Sequence, residues 1–261
     1  MRNVSVRLAL AAACAALAHP VCAQLVAKPD GEWRGLAGLS FTSVSGNAEN
    51  SSLGINVDAV RQTEQDKITL YGQALRAEAR VAGQTAKTSD LLRFGGKYDW
   101  NLSERVFAFG VGGYERDRIA RLENRWTAGG GLGYKVFTGP DHTFDVFGGL
   151  NARTDSYADP GVVIDGRQRT RYTVVEMQLG EESTHKLTET TSLRQRFVLY
   201  PNLDLPGEYR AVFDAGLVVS MTDRLKLTVS VLNRYDSLAE APIRKNDLTF
   251  FTGVSYAFGA K

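Results

Sequence analysis

The stretch Leu248-Thr249-Phe250-Phe251-Thr252-Gly253-Val254-Ser255-Tyr256-Ala257-Phe258 carries apolar or aromatic residues at nearly all its even positions and mostly small or polar ones at its odd positions. A period of two places alternate side chains on one face of a β-strand, here Leu248, Phe250, Thr252, Val254, Tyr256 and Phe258. Such a face needs a cover, and a strand this short needs partners. Pairing that closes a sheet on itself supplies them and leaves no open edge. The stretch therefore predicts the closing strand of a barrel.

The same alternation recurs back through the chain. Trp33, Gly35, Ala37, Leu39 and Phe41 form an outward set, and Leu53, Ile55, Val57 and Ala59 form another after a turn at Ser45-Gly46-Asn47. Residues 68–80 are less regular: Ile68 and Leu70 favour one face while Leu75, Ala77 and Ala79 favour the other, which predicts a bulge. Leu92, Phe94, Gly96, Tyr98 and Trp100 face out against Arg93, Gly95, Lys97 and Asp99. Phe107, Phe109 and Val111 are expected outward against Ala108, Gly110 and Gly112. Residues 126–136, with Leu132 and Tyr134 out and Lys135 in, and 144–152 follow. Further strands are expected at 175–179, 193–199, 211–221 and 225–235. The expectation is an all-β chain, a single antiparallel up-and-down transmembrane β-barrel of about 12 strands.

Connection lengths give the barrel a direction. Residues 62–66, 101–105, 138–142 and 222–224 are short links, whereas 116–125, 156–171 and 237–246 are long, with 182–189 an exception. Short turns face the periplasm in outer-membrane barrels. Aromatic residues order themselves accordingly: Trp33, Trp100, Phe107, Tyr134, Phe144, Tyr256 and Phe258 at the periplasmic rim, and Phe41, Trp126, Tyr209 and Tyr235 at the outer rim. Two such girdles suit a lipid bilayer. A soluble periplasmic sandwich or lipocalin-like barrel has no reason to sort them so.

Arg2 and Arg7, an apolar run over 8–17 and the small-residue ending Val21-Cys22-Ala23 read as a secretory signal peptide over 1–23, cleaved between Ala23 and Gln24. The domain expected is 24–261. Removing the signal takes Lys+Arg from 31 to 29, equal to the 29 Asp+Glu, so no global basic footprint for nucleic acid is left. Cys14 and Cys22 leave with it, and neither a disulfide framework nor a thiolate metal site is expected.

The run Gly38-Leu39-Ser40-Phe41-Thr42-Ser43-Val44-Ser45-Gly46-Asn47, the central Leu92-Arg93-Phe94-Gly95-Gly96-Lys97-Tyr98-Asp99-Trp100 and the closing Val254-Ser255-Tyr256-Ala257-Phe258 resemble the YdiY-type family of salt-induced outer-membrane proteins, whose shared domain has no assigned function. The resemblance covers nearly the whole mature chain. It implies an outer-membrane location, with lipid, glycolipid and the barrel-assembly machinery as partners. The tail Gly259-Ala260-Lys261 departs from the family habit of ending such barrels on an aromatic residue.

Catalytic signals are weak. A serine hydrolase needs a histidine beside its nucleophile. Outside the signal only His142 and His185 occur, both in expected turns, with no Gly-x-Ser-x-Gly elbow. Gly110-Val111-Gly112-Gly113 and Gly129-Gly130-Gly131-Leu132-Gly133 lack the spacing of a dinucleotide loop. No enzyme activity and no cofactor is expected. Function is instead expected on the inward face: Arg34, Arg93, Lys97, Lys135, Arg153, Arg194, Arg196, Arg210, Lys226 and Arg234 against Asp58, Asp99, Asp145, Glu176 and Asp214, ten bases to five acids. Two readings stand open: a narrow passive pore for small, anionic solutes, or a structural or surface-interaction barrel whose lumen ion pairs close. A lipid hydrolase, the third class, lacks its residues. Arg116, Arg118, Arg121 and Arg125 in the long loop suggest contact with glycolipid phosphates, or else a solvated loop paired with Glu115, Asp117 and Glu123. Residues 157–166, with an Asp159-Pro160-Gly161 turn, are long enough to fold over the mouth.

Overall fold

Alternation at a period of two becomes structure through the backbone ladder, which needs a partner on both edges of every strand. The computed structural model describes residues 28–44, 48–81, 84–239 and 245–260. The signal region, its Ala23/Gln24 cleavage site and the Ser45-Gly46-Asn47 turn lie outside them. The strands are β1 (Trp33–Val44), β2 (Ala48–Gln62), β3 (Asp66–Val81), β4 (Gln84–Asn101), β5 (Val106–Asp117), β6 (Leu122–Thr138), β7 (His142–Tyr157), β8 (Val162–Ile164), β9 (Arg167–Arg169), β10 (Arg171–Lys186), β11 (Thr191–Pro201), β12 (Tyr209–Ser220), β13 (Leu225–Asp236) and β14 (Asn246–Gly259). All but β8 and β9 form one closed antiparallel barrel, in which each strand pairs with its sequence neighbour and β14 returns to β1. β8 and β9 make a separate two-stranded hairpin between β7 and β10.

Closure occurs at the strand that opened the argument. Val254, Tyr256 and Phe258 of β14 lie opposite Leu39, Ala37 and Gly35 of β1. The Phe258 ring lies over Gly35, where a Cβ would collide with it, so the glycine is a socket for the last aromatic of the chain. The exterior of the barrel is apolar: Leu53, Ile55, Val57, Leu132, Leu150, Val175, Leu179, Val229 and Val254 are exposed, while Asn56, Asp58, Asn151, Arg153, Glu176 and Gln178 are buried. An apolar outside around a polar inside is stable only with lipid as the outer solvent, so the protein is an integral outer-membrane barrel. Of the aromatic girdle, Trp33, Trp100, Trp126, Tyr134, Tyr209, Tyr256 and Phe258 are exposed on that surface. Phe144 is half-buried, Tyr235 stacks on Tyr209 at 5.3 Å, and Phe41 lies in β1.

The ladder corrects several expectations. Phe107 is not a girdle residue: at 2% exposure it points into the barrel with Phe109. The register explains why. Tyr114 lies between Phe94 and Trp126 on the neighbouring strands, and opposed residues share a face. Tyr114 is therefore outside with them, at 5.1 and 4.8 Å between ring centroids. Odd residues of β5 must then be inside, while Gly110 and Gly112 turn to the exposed exterior. Gly133, opposite Phe107, leaves room for its ring.

In β3, Leu75 and Ala77 also face inward, on one regular parity with Gln73. The irregularity is on the facing strand, where the pairing Ala77↔Ser89 is followed by Glu78↔Lys87, leaving Thr88 as the extra residue. The expected loop 116–125 shrinks to 118–121, because β5 runs on to Asp117 and β6 begins at Leu122. The expected turn at 182–189 shrinks likewise to 187–190, which moves Glu182 and His185 into β10.

Candidate functional site

Contacts between strands that are not neighbours in the barrel must cross its interior, and they define the lumen. Arg234 of β13 reaches Glu115 of β5 at 3.4 Å, Arg210 of β12 reaches Glu176 of β10, and Lys97 of β4 lies over the Phe147 ring of β7 at 5.5 Å. The fifteen candidate lumen residues fall on the parity that carries buried polar groups, and none of them is fully exposed. They separate into two charged tiers with an aromatic layer between.

The outer tier is a chain of alternating signs. Asp155 accepts from Arg125 Nε at 2.7 Å and Nη2 at 2.8 Å, from Arg153 Nη1 at 2.7 Å and from Tyr157 Oη at 2.9 Å. Arg153 also faces Glu176 at 3.3 Å. Glu176 takes a two-pronged grip from Arg210, at 2.8 and 2.6 Å, and a hydrogen bond from Asn151. Glu115 joins Arg125 to Arg234. Asp155 at 0% and Glu176 at 1% exposure have lost their water entirely, a state carboxylates tolerate only when fully paired. Beside them Arg93 donates to Gln73 at 2.8 Å.

The aromatic layer is Phe107, Phe109, Phe147 and Val198, with Val111 and Tyr200 against it. Lys97 Nζ sits 5.1 to 5.6 Å from the centres of all three phenyl rings and forms an ion pair with Asp99 Oδ1 at 2.8 Å, so a cation and its counter-ion plug the cage. Arg196 also lies over the Phe147 ring, 5.5 Å from its centroid.

The periplasmic tier is looser. Lys67 and Asp99 stand 4.0 Å apart, Glu182 lies 3.6 Å from Arg194 and 3.7 Å from Arg196, and Lys135 opposes Asp145 in the ladder. Lys135 and Lys226 turn their ammonium groups to Asn101 and Ser220. Asp214 lies opposite Arg196. Arg34 is clasped by Asp30 just outside the first strand, and that hydrogen-bonded contact holds the Asp30 carboxyl well below the usual carboxylate range.

Sequence reasoning missed Lys67, Arg125, Glu115, Asp155 and Glu182 in this lumen. These add two bases and three acids to the ten and five expected, which lowers the relative excess of base. Arg116, Arg118, Arg121 and Arg125 do not form one outer patch: Arg125 is inside, Arg118 faces Asp90 at 3.5 Å, and Arg121 donates to the Ala158 and Asp159 carbonyls.

At the outer mouth the long connection folds back. Asp165 and Gly166, both with positive φ, make the tight turn between β8 and β9. Ile164, 4% exposed, packs with Tyr172 and Val174 and is flanked by Tyr157, Val162, Leu205 and Leu238. Beneath this hairpin is a cavity of about 380 Å³. Its wall joins apolar Leu122, Val162, Val163, Ile164, Val212 and Leu238 to Arg121, Arg125, Arg153, Arg210, Arg234 and Lys245, with Glu115, Asp117 and Asp236 as acids.

Comparison with known proteins follows the strands. Among solved structures, the translocator domain of the autotransporter NalP from Neisseria meningitidis has a TM-score of 0.48 at 13% identity, with 88% of each chain covered. An outer-membrane channel from Pseudomonas putida F1 gives 0.46 at 14%, covering 94% of this chain and 98% of that one, and the NanC porin gives 0.45 at 9%, covering 87% and 97%. The uncharacterized protein YdiY of Escherichia coli (strain K12) is 24% identical over 127 residues, 49% of this chain and 49% of YdiY, so the match spans about half the length of that relative. The profile of the family described as "Protein of unknown function, DUF481" matches residues 37–258, from the first barrel strand to the last. The chain belongs to that family.

Proposed function

We propose that this barrel is a narrow, non-enzymatic passive channel for small anionic solutes whose resting state is closed at its outer half. The observation that carries the proposal is the cavity under the β8–β9 hairpin, where five arginines and Lys245 face Glu115, Asp117 and Asp236 and the floor is the paired network around Asp155 and Glu176. A cationic, partly desolvated mouth raises the local concentration of anions and repels cations. Guanidinium groups already engaged with carboxylates can exchange one oxyanion for another, because both accept the same forked pair of hydrogen bonds. Below the aromatic layer, Arg194, Arg196, Lys67 and Lys135 continue the basic path in less buried surroundings.

The second reading, a structural barrel closed by ion pairs, is favoured by the full burial of Asp155 and Glu176. Single-channel recording of the refolded protein in a planar bilayer separates the two. The channel reading expects small, intermittent steps with a reversal potential on the anion side, fading as salt rises because screening shortens the reach of the charges to about 10 Å at 0.1 M. Arg194→Glu with Arg196→Glu should move that potential toward cations. Silence in the wild type and after excision of residues 162–169 leaves the structural reading.

A further inference from the structure

His142 and His185, the two histidines outside the N-terminal region, have no place in the lumen. His142 opens β7 and His185 is the second-last residue of β10, and the ladder sets them directly opposite each other. Their Nδ1 atoms are 3.1 Å apart, with ring centroids at 5.3 Å and planes at 49°. The contact is at the tight-turn end of the barrel, where His142 is exposed and His185 half-exposed.

Two imidazole nitrogens at this separation have a second use besides a mutual hydrogen bond. Metal–nitrogen distances of about 2.0–2.1 Å, at ligand angles between octahedral and tetrahedral, place two ligating nitrogens about 2.9–3.4 Å apart. The observed pair is inside that window. One Nδ1 accepts from the other, so both Nδ1 atoms already face the space between the rings. Chelation asks that the donor ring carry its proton on Nε2 instead, an exchange that accessible imidazoles make through water, and that both rings turn until their lone pairs converge on one ion. Antiparallel pairing supplies the rigidity: the ladder continues through Thr143↔Thr184 and Phe144↔Ser183, so neither ring depends on a mobile loop for its position.

We infer that His142 and His185 form a two-nitrogen chelate for one borderline divalent cation of the copper, nickel or zinc class, at the periplasmic rim. Imidazole suits those ions and disfavours magnesium and calcium, which take oxygen. Among the described residues no group of three or more His, Cys, Asp or Glu is placed to hold a metal, so water completes the coordination. Asp141, adjacent in sequence, is engaged with Lys186 at 3.8 Å. The chelate spans the periplasmic ends of β7 and β10, whose other ends are joined through the long hairpin segment, and so clips that pair of strands.

The probe is Cu²⁺ added to the refolded barrel, followed by nitrogen hyperfine structure in its electron paramagnetic resonance spectrum and by titration calorimetry. One equivalent with two equatorial nitrogens is expected in the wild type. His142→Ala and His185→Ala should each fall to the binding of the double variant, and Asp141→Asn should leave the signal unchanged. The gel shift between unboiled and boiled samples reports that each variant is folded. Wild-type binding no stronger than that of the folded double variant, or a signal retained by both single variants, overturns the site.

Discussion

Replacing Asp155 by Asn keeps the volume of the side chain and removes the charge that Arg125 and Arg153 share. Three charge-assisted contacts of 2.7 to 2.8 Å converge on that carboxylate, and it is wholly buried. Breaking a buried pair by removing one partner costs about 3–5 kcal/mol, most of it the penalty of leaving the other charge without its counter-ion. Arg125 keeps Glu115 and Arg153 keeps Glu176, at 3.8 and 3.3 Å, which argues for the lower end. A loss of about 3 kcal/mol is more than a hundredfold in the folding equilibrium. The comparison is Glu78→Gln, which cuts the pair Arg76–Glu78; Arg76 is 65% exposed there, and such surface pairs contribute about 0–1 kcal/mol. The assay is urea unfolding in lipid vesicles, read through Trp33, Trp100 and Trp126, all on the lipid face. If Asp155→Asn shifts the transition no further than Glu78→Gln, the network does not hold the lumen and the reasoning from burial fails.

Phe107→Ala should destabilise the barrel by about 3 kcal/mol through a cavity in the layer it forms with Phe109 and Phe147, whereas a lipid-facing phenylalanine would lose far less; vesicle unfolding distinguishes them. Tyr256→Ala with Phe258→Ala removes the aromatics at the seam and should lower the amount of protein in the outer membrane, as Gly35→Ala should by displacing the Phe258 ring; wild-type levels in both variants count against the socket. Excision of residues 162–169 lifts the hairpin from the mouth and should raise open probability in a planar bilayer, with unchanged current traces as the contrary result.

Most strands of the barrel were legible because their lipid faces are written in apolar residues at a period of two. The misreadings at the strand ends share a physical origin. β4 has 18 residues and β6 has 17, while a tilted strand crosses the bilayer in about 9–11, so strand ends project beyond the hydrocarbon. There both faces are free to be polar and the alternation fades, which hid Arg125 and Glu182 inside apparent loops and left Asp155 just beyond the end of an expected strand. β5 failed differently. Its two faces carry phenylalanines and glycines, and hydrophobicity alone sends the phenylalanines to lipid; only the neighbours of Tyr114 reveal the opposite parity. Parity extended from Arg153 would have found Asp155, two residues along. Nothing in the sequence pairs Arg234 with Glu115, because that contact joins non-adjacent strands across the lumen.

The inward phenylalanines bear directly on whether the lumen conducts. Twelve strands enclose more room than eight, a number that side chains alone can fill, and less than the sixteen or more of an open porin. The extra room here is taken by rings as well as by ions, and the two obstruct differently. A carboxylate–guanidinium network is permeable in principle to an anion that replaces a carboxylate as it passes, since the hydrogen bonds are exchanged and not lost. An aromatic layer offers an inorganic anion no such exchange and resists it by desolvation. Lys97 changes that balance, because its ammonium stands within the layer itself, and with Arg196 against Phe147 it supplies cationic steps between the Arg153–Arg210 tier and the Arg194–Lys67 tier. The basic residues thus form an interrupted path along the lumen, and one interruption lies where Asp99 pairs with Lys97 at 2.8 Å. Under the channel proposal, the expected solute carries both a negative charge and an apolar body, to match the mixed wall of the outer cavity and the rings below it.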